Sequence, residues 1–392
     1  MELNILNRKI IKNFAITFLI VIKIYINNFL YSKKNHQFLK NVDKIKEGNF
    51  LDFFNSTIKN NTILIFEPNI YHQECIPGFS KYFIDLGYNV DILMHELGNN
   101  CFTLFPETKS IRLRTFNNLI EIQSKAHDFS KIIKKYELIL LQSSYEPNML
   151  LYSELDVLNK NNSIFVVHDL NTVNKDFSQY FAQNRVITLG NFSKGLQVNP
   201  HYFGDIKIKD KNKKIRFFLT FTYQRNYTIF SETVERLKSE NFNFEIIIFG
   251  RTINFTSSYF PQNLNNNLKV KFRASYSEFY EAVESSDYII VTLDPKNGND
   301  IPYKTTKVTG NIQLMYGFLK PIIINKEFAQ FYDLNINNSL IYYNNSDFYN
   351  IMKKAILLDN KSYKNLQRNL LVCEKELYAK SLNNIKKFLN RN

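Results

Sequence analysis

The stretch that decides the fold runs from Tyr288 to Asn325 and reads YIIVTLDPKNGNDIPYKTTKVTGNIQLMYGFLKPIIIN. It begins with the pattern of a short buried strand, YIIVTL, which ends at Asp294. After a polar loop, Thr309 opens an apolar helical run that closes at Pro321, and a second strand, IIIN, follows. This order predicts a βαβ unit in which the N-terminus of the helix is accessible to a ligand. Free backbone N–H groups and the positive end of the helix dipole suit a phosphate there.

The sequence on either side repeats this alternation of short apolar strands and helical stretches. Strands are predicted in the first half of the chain at 62–67, 88–95, 137–142, 163–169 and 185–190. Further strands are predicted ahead of the deciding stretch at 215–221, 244–250 and 270–272. Helices are predicted at 79–87, where Gly87 supplies the stop, and at about 229–239, 276–285 and 346–389. Strands that alternate with helices indicate parallel sheets covered by helices on both faces.

The length of the chain, 392 residues, is too great for one ordinary core and predicts two domains. A polar, lysine-rich segment at 201–214 is the natural boundary between them. We therefore predict an α/β fold of two Rossmann-like domains that face each other across a cleft. The predicted ranges are 1–34 for a hydrophobic, amphipathic helix, 35–60 for a connector, 61–205 and 206–375 for the two domains, and 376–392 for a C-terminal helix.

Composition restricts the class of protein and its partners. Hydrophobic residues make up 44% and charged residues 22%, which is typical of a folded soluble protein. The net charge of +14 favours anionic partners, but no dense basic block with interleaved aromatic residues indicates nucleic acid. The three cysteines are far apart and have no CxxC spacing, so we expect no disulfide framework, no zinc site and a reducing, cytoplasmic compartment.

An apolar segment near the N-terminus, FAITFLIVIKIYI at 14–26, predicts contact with a membrane surface. Lys23 interrupts it before the roughly 20 residues that a spanning helix needs. One side of the helix carries the polar residues Arg8, Lys9, Lys12, Lys23 and Asn27, and the other carries Phe14, Phe18, Ile22, Tyr25 and Ile26. This pattern is typical of a helix lying in the membrane interface. We predict a peripheral or anchored protein, and a tilted spanning helix or a buried soluble helix remain the alternatives.

Four segments of the second half resemble a GT-B glycosyltransferase, in particular the donor domain of the group 1, family 4-like enzymes. They are IRFFLTFTYQRNYTIF, FEIIIFG, ASYSEFYEA and TGNIQLMYGFLKPIIIN, in the expected order. The resemblance implies that 61–205 is an acceptor domain and 206–375 a donor-nucleotide domain. It also implies transfer of a sugar from a nucleotide-sugar donor to a glycan or lipid-linked acceptor, in surface polysaccharide or glycoconjugate synthesis. Neither a metal nor another cofactor is expected.

The chain departs from this family in one respect. Many retaining members carry a glutamate in the last of these helices, but no carboxylate occurs between Thr309 and Pro321. Two alternatives therefore stay open beside the transferase: a catalytically silent protein that binds a glycan or a partner at the membrane, and a sugar-nucleotide epimerase.

Cationic and hydrogen-bonding residues after the strands of the second half are the candidates for donor binding. Arg225 follows the first of these strands and could grip a phosphate with both ends of its guanidinium group. In the first half, Gly78 could let the backbone approach the sugar, or simply permit a turn. The full predicted donor set is Gly78, Arg225, Arg251, Lys304, Lys307, Thr309, Gly310, Asn311 and Gln313.

Polar residues after two strands of the first half are the candidates for catalysis. His72 and Glu74 follow the first strand and could act as acid and base if the reaction inverts. His168 and Asp169 end another strand at the same predicted edge, where ligands bind. Each could instead be an ordinary loop or capping residue. Asn191, with the nearby Ser193 and Lys194, forms a weaker cluster at a strand end, and no Ser-His-Asp triad, HExxH motif or Walker loop occurs.

Overall fold

A computed structural model describes residues 47–173, 177–222, 225, 227–250, 267–272 and 274–390. It contains two sheets in which every paired strand is parallel. The sheets and the helices that cover them give an α/β fold of two Rossmann-like domains, as predicted.

The first sheet has eight strands. They are β1 (Glu47–Asn49), β2 (Thr62–Glu67), β3 (Asn89–His95), β4 (Ile111–Phe116), β5 (Leu138–Leu141), β6 (Ser163–Val167), β7 (Val186–Thr188) and β8 (Leu196–Gln197), in the order β1-β4-β3-β2-β5-β6-β7-β8. The accompanying helices are α1 (Phe50–Asn55), α2 (Ile76–Asp85), α3 (Leu119–Ser124), α4 (Ala126–Ile132), α5 (Glu146–Glu154) and α6 (Ser178–Ala182). Strand β2 is buried along its whole length, which places it at the centre of this domain.

The second sheet has six strands. They are β9 (Ile215–Phe221), β10 (Phe244–Gly250), β11 (Leu268–Phe272), β12 (Tyr288–Ile290), β13 (Ile322–Asn325) and β14 (Leu340–Tyr342), in the order β11-β10-β9-β12-β13-β14. The accompanying helices are α7 (Thr228–Ser239), α8 (Tyr276–Ser285), α9 (Gly310–Phe318), α10 (Lys326–Ala329), α11 (Asn345–Leu357) and α12 (Asn360–Leu389). The predicted βαβ unit is therefore β12, α9 and β13.

Local sequence explains where several helices begin and end. Ser275 and Glu278 form a reciprocal capping box at the start of α8. Helix α2 ends two residues before Gly87, whose φ of +85° is easily reached only without a Cβ atom. The side chain of Asp359 accepts a hydrogen bond from the backbone N–H of Ser362 and caps α12. That cap divides the single helix predicted over 346–389 into α11 and α12.

Several interior strands match the sequence prediction closely, whereas the central strand β12 is shorter than predicted and some outer strands were missed. Strands β9 and β10 have the predicted bounds, but the strand predicted over 288–293 is a strand only over 288–290. Four strands at or near the sheet edges, β1, β4, β8 and β14, were not predicted. Strand β1 lies within the stretch predicted as a connector and pairs with β4.

Two helices join the domains through buried contacts. Residues 311–317 of α9 are all buried, and Gly317 lies so close to the carbonyl oxygen of His201 that an added Cβ would be only 2.2 Å from it. Helix α12 packs Tyr363 and Leu366 into a core of the second domain, and Ile385 and Phe388 into a core of the first. The predicted boundary between 375 and 376 falls inside this continuous helix.

The apolar N-terminal segment at 14–26 lies outside the described residues. Within the part of the chain that the structure does describe, none of the helices combines the length and the apolar character needed to cross a bilayer.

Candidate active site

The loops that follow the parallel strands of the two domains meet between the sheets. Leu170 N donates to Thr306 O at 2.9 Å, and Asp169 forms an antiparallel backbone bridge with Lys307. On the same boundary, Cys75 Sγ lies 3.8 Å from Gln313 Oε1. Each of these pairs joins the first domain to the second, so the loop after β6 and the loop before α9 meet at one cleft between the domains.

Two predicted catalytic histidines from different strand ends are in contact. The rings of His72 and His168 stack with centroids 3.9 Å apart and planes inclined by 27°. His72 has a left-handed backbone, with φ of 66°, which costs energy for a residue with a Cβ atom. Nε2 of His168 donates to the carbonyl oxygen of Gln142 at 2.9 Å, which leaves Nδ1 as the acceptor nitrogen.

The environment of His168 favours its neutral form. Burial lowers its pKa well below the ordinary range, and the adjacent ring of His72 lowers the pKa further. The ring therefore carries no charge near neutral pH and can both donate and accept a hydrogen bond.

The two predicted catalytic carboxylates are each in contact with the second domain. Glu74 Oε2 accepts a hydrogen bond of 3.1 Å from the hydroxyl of Tyr276, at the start of α8, and Oε1 lies 4.0 Å from Nδ1 of His72. Asp169 Oδ2 lies 3.9 Å from Nζ of Lys307. Both acids are thus positioned by groups that come from the other side of the cleft.

A third carboxylate, Glu67, was not singled out from the sequence. It ends β2 and is fully buried, and it accepts hydrogen bonds from Ser143 Oγ and from the backbone and side-chain N–H groups of Asn69. Burial raises the pKa of Glu67 to about 8, although these hydrogen bonds oppose the shift. The signal was present in the sequence, because an acidic residue closing an otherwise apolar strand is unusual.

Beside this network, the side chain of Gln142 is also completely buried. Neither its Oε1 nor its Nε2 has a hydrogen-bond partner among the residues that the structure describes. Leaving such groups unpaired costs about 1–3 kcal/mol, so a buried polar side chain without a partner calls for a structural or functional explanation.

Arg225 lies on the second-domain side of the cleft as a buried, incompletely paired cation. Its side chain is 5% exposed and its Nε lies 4.0 Å from Oδ1 of Asp300. Its guanidinium carbon is 5.8 Å from the centre of the Tyr303 ring. Nη1 has no hydrogen-bond partner within the described part of the chain. A planar cation with a free donor is well suited to bind a phosphate oxygen.

The start of α9 is open, as the phosphate hypothesis requires. Gly310 is exposed, and a Cβ added to it would meet no described atom within 4 Å. Thr309 is the N-cap residue. Asn311 is buried, its Oδ1 accepts a hydrogen bond from Thr220 Oγ1 at 3.2 Å, and its Nδ2 has no partner among the described residues. Backbone amides and a spare amide donor therefore converge at this helix end.

The remaining predicted donor residues have different surroundings. Lys304 Nζ pairs with Glu327 at 2.5 Å, and Lys307 is held near Asp169, as described above. Gly78 is buried inside α2, where a Cβ would lie 2.4 Å from the carbonyl carbon of Pro200, so close packing of the backbone accounts for a glycine there. Arg251 lies outside the described residues. No group of three or more His, Cys, Asp or Glu side chains in the described ranges could hold a metal ion.

Comparison with solved structures identifies the architecture. The chain is similar to a glycosyltransferase from Rickettsia africae ESF-5, with 14% sequence identity and a TM-score of 0.53 over 85% of this chain and 99% of that one. It is also similar to Anabaena HepE in complex with UDP-glucose, with 11% identity and a TM-score of 0.54 over 83% of this chain and 98% of that one. The chain has the GT-B fold.

A third structure with this GT-B architecture is AviGT4, a glycosyltransferase involved in avilamycin A biosynthesis. It shows 9% identity and a TM-score of 0.50 over 83% of this chain and 97% of that one. No protein-family model matches the sequence, and no curated protein matches it. The predicted GT-B resemblance is confirmed for the fold, and the family 4-like subgroup stays a prediction.

Proposed function

We propose that this protein is a glycosyltransferase that moves a sugar from a nucleotide-sugar donor to a hydroxyl acceptor. The observation that carries the proposal is the donor wall of the cleft. There Nη1 of the buried Arg225 has no partner among the described residues, and the open start of α9 presents backbone amides, both at the carboxyl-end edge of one parallel sheet. The GT-B fold and the UDP-glucose bound to Anabaena HepE support a nucleotide-sugar as the donor.

The donor wall would stabilise the leaving group. Transfer breaks the bond between the sugar and the diphosphate and leaves negative charge on the phosphate oxygens. Fixed donors aimed at that charge act strongly, because they need no reorganisation during the reaction. Arg225 and the amides at Gly310 and Asn311 are such donors. We propose that they suffice without a metal or another cofactor.

The opposite wall would handle the proton of the acceptor. His72 and Glu74 lie 4.0 Å apart in the same loop, and the neutral His168 stacks on His72. In an inverting reaction His72 would take the proton from the acceptor hydroxyl as general base. His168 and Asp169 would then hold hydroxyl groups of the transferred sugar.

A thermal-shift experiment with UDP-, GDP- and CMP-sugars tests donor binding. A true donor at 100 times its dissociation constant should stabilise the folded protein by about 2.7 kcal/mol. The stabilising donor is then incubated with candidate acceptors, and the products are analysed by mass spectrometry. A rise in melting temperature together with a sugar-modified acceptor is the expected result. The absence of stabilisation by every nucleotide-sugar would contradict the proposal.

The second candidate is a catalytically silent GT-B protein that binds a glycan or a partner. Two observations favour it: α9 has no carboxylate, and Glu327 pairs with Lys304, one of the predicted donor cations. A silent protein could still bind a nucleotide but would neither transfer nor release the sugar. Mass balance of the donor, measured with and without acceptor, separates the two candidates. An epimerase would instead return an isomer of the donor sugar.

We further propose that the acceptor is a glycan or a lipid-linked saccharide at a membrane surface, in surface polysaccharide or glycoconjugate synthesis. The support is the apolar segment at 14–26 with its flanking lysine and arginine residues. Deletion of residues 1–33 should abolish co-sedimentation with anionic lipid vesicles and leave donor-dependent stabilisation unchanged. Sedimentation of the truncated protein with vesicles would argue against this anchor.

A further inference from the structure

One aromatic ring beside the cleft carries two of the cations in the predicted donor set. The ring belongs to Tyr303, in the short 3₁₀ turn Ile301–Lys304 between β12 and α9. The guanidinium carbon of Arg225 lies 5.8 Å from the ring centre, and Nζ of Lys307 lies 5.2 Å from it. Both distances are within the roughly 6 Å over which the negative face of an aromatic ring attracts a cation. Tyr303 therefore links a cation that follows β9 to one that precedes α9.

The backbone of Tyr303 is fixed from two directions. Its N–H donates to Asp300 O at 3.0 Å, and its carbonyl oxygen accepts from the hydroxyl of Tyr332 at 2.7 Å. The carbonyl oxygen of Tyr332 in turn accepts from the hydroxyl of Tyr316, on α9, at 3.4 Å. The hydroxyl of Tyr303 itself makes no hydrogen bond to a described residue. The ring is thus anchored through its backbone, and its face is the part that contacts other charged groups.

A second tyrosine with the same two kinds of cation shows what is different at Tyr303. The ring of Tyr349, on α11, lies 3.7 Å from the guanidinium carbon of Arg236 and 5.7 Å from Nζ of Lys353. There one carboxylate pairs with both cations, since Glu240 Oε1 lies 3.2 Å from Nε of Arg236 and Oε2 lies 2.9 Å from Nζ of Lys353. Glu240 lies between α7 and β10, so this neutralised cluster is at the amino-end edge of the second sheet, away from the cleft.

At Tyr303 the carboxylates that face the cations stay beyond hydrogen-bond distance. Asp300 Oδ1 is 4.0 Å from Nε of Arg225, and Asp169 Oδ2 is 3.9 Å from Nζ of Lys307. At these separations an acid orients a cation but does not take up its N–H donors. Two cations held on one ring also repel each other, and an anion with several oxygens removes that repulsion. The cluster at Tyr303 therefore suits a diphosphate, whereas the cluster at Tyr349 is already neutralised.

We propose that Tyr303 is a positioning residue for donor binding, whose ring holds Arg225 and Lys307 toward the diphosphate of the nucleotide-sugar. This inference rests on the proposed function, because it requires the donor wall to bind a nucleotide diphosphate. The ring acts through the two cations and touches no reacting atom. Without the ring, the ligand itself would have to order both long side chains, which weakens binding.

Isothermal titration calorimetry on the full-length protein, with UDP and with GDP as probes, tests this role. Wild type should bind at least one of the two nucleotides. Tyr303→Leu and Tyr303→Met keep an apolar side chain but remove the aromatic face, and each should weaken that binding by about tenfold. Tyr303→Phe keeps the ring and should bind as wild type does, because the hydroxyl has no partner to lose. Circular dichroism verifies that the variants fold.

A double-mutant cycle shows whether the ring acts through the cations. When Lys307→Ala is already present, Tyr303→Leu should weaken binding by less than it does in wild type, because one of the two contacts is already lost. Tyr349→Leu is the matched control, since it removes a ring with the same two kinds of cation at the other edge of the sheet. It should leave nucleotide binding unchanged.

The possible failures are distinguishable. Binding of neither UDP nor GDP by wild type would overturn the proposed function, and the inference with it. Wild-type affinity in both Tyr303→Leu and Tyr303→Met would overturn the inference alone. Fully additive losses in the Lys307→Ala background, or an equal loss in Tyr349→Leu, would show that the ring supports the fold rather than the cations, which also overturns the inference.

Discussion

The two walls of the cleft differ in how their buried polar side chains are paired. On the first-domain wall, His72 stacks on His168 and Glu67 is surrounded by hydrogen-bond donors. On the second-domain wall, Arg225 and Asn311 each retain a buried donor without a partner among the described residues. Apart from Gln142, the polar groups named on the first wall are held by hydrogen bonds or ring stacking, whereas the second wall presents donors that have no partner among the described residues. Under the proposed function, proton transfer falls to the first wall and donor binding to the second.

Replacing His72, the proposed general base on the first-domain wall, should have the largest effect on turnover. His72→Ala should lower turnover by about 10²–10⁴-fold, the range for loss of a general base. Steady-state kinetics with the donor found by thermal shift measures the change. His127→Ala is the matched control, because His127 is exposed on α4 away from the cleft. Turnover equal to wild type in His72→Ala would remove this histidine from the mechanism.

Replacing Arg225 tests the second wall. Arg225→Ala should lower turnover by about 10²–10³-fold, because one donor to the developing charge is lost, while the melting temperature stays close to that of wild type. Arg236→Ala, at an exposed arginine on α7, is the control and should leave turnover unchanged. A large loss of stability without a selective loss of turnover would mean that Arg225 is structural, and the contrast between the walls would disappear.

The buried acid of the first wall should make stability depend on pH. The pKa of Glu67 is raised from 4.5 to about 8 by burial, so the folded protein holds this proton more tightly than the unfolded chain does. Its contribution is complete below the unfolded pKa and is lost as the pH rises through the folded pKa. Between these values the free energy of unfolding should fall by up to about 1.4 kcal/mol per pH unit.

Urea denaturation across this pH window measures the effect in wild type and in Glu67→Gln. The variant cannot ionise at this position, so its stability should decline less steeply with pH. Glu107→Gln, at an exposed acid, should keep the slope of wild type. Equal slopes in wild type and Glu67→Gln would show that Glu67 does not hold a proton in the folded state.

Removing the hydrogen bond that joins the two walls should have the smallest effect on activity of the changes considered. Tyr276→Phe deletes the hydroxyl that donates to Glu74. A single hydrogen bond to a charged group contributes about 1.5–3 kcal/mol, and solvent near the cleft reduces this, so we expect a several-fold loss in kcat/KM. Tyr343→Phe, at an exposed tyrosine, is the control. An unchanged kcat/KM in Tyr276→Phe would mean that Glu74 is positioned without the second domain.

The sequence predicted the parts of the fold that depend on continuous apolar pattern. Strands β2, β9 and β10 have the predicted bounds because each is a buried run of β-branched and aromatic residues between polar loops. The edge strands β8 and β14 are only two and three residues long. Such short segments carry no periodicity of their own and become strands only because a neighbouring strand offers hydrogen bonds.

The sequence indicated which loops form the site, but not which of their side chains contact one another. Strand ends indicated His72, His168 and Arg225, because parallel topology collects loops at one edge. Which of these side chains pair with one another depends on how the two domains meet. The link from Glu74 to Tyr276 spans 202 residues of sequence, and no local pattern encodes such a pairing.

The position of Ile385 and Phe388 on α12 determines when the first domain can complete its core during synthesis. Ile385 and Phe388 complete a core of the first domain, whose last strand ends at Gln197. At about 5–20 residues per second, synthesis of the stretch between Gln197 and Ile385 takes roughly 10–40 s. During that interval the nascent first domain lacks two of its interior side chains. The surface of the first domain that these two side chains cover stays exposed until the last turns of α12 are synthesised.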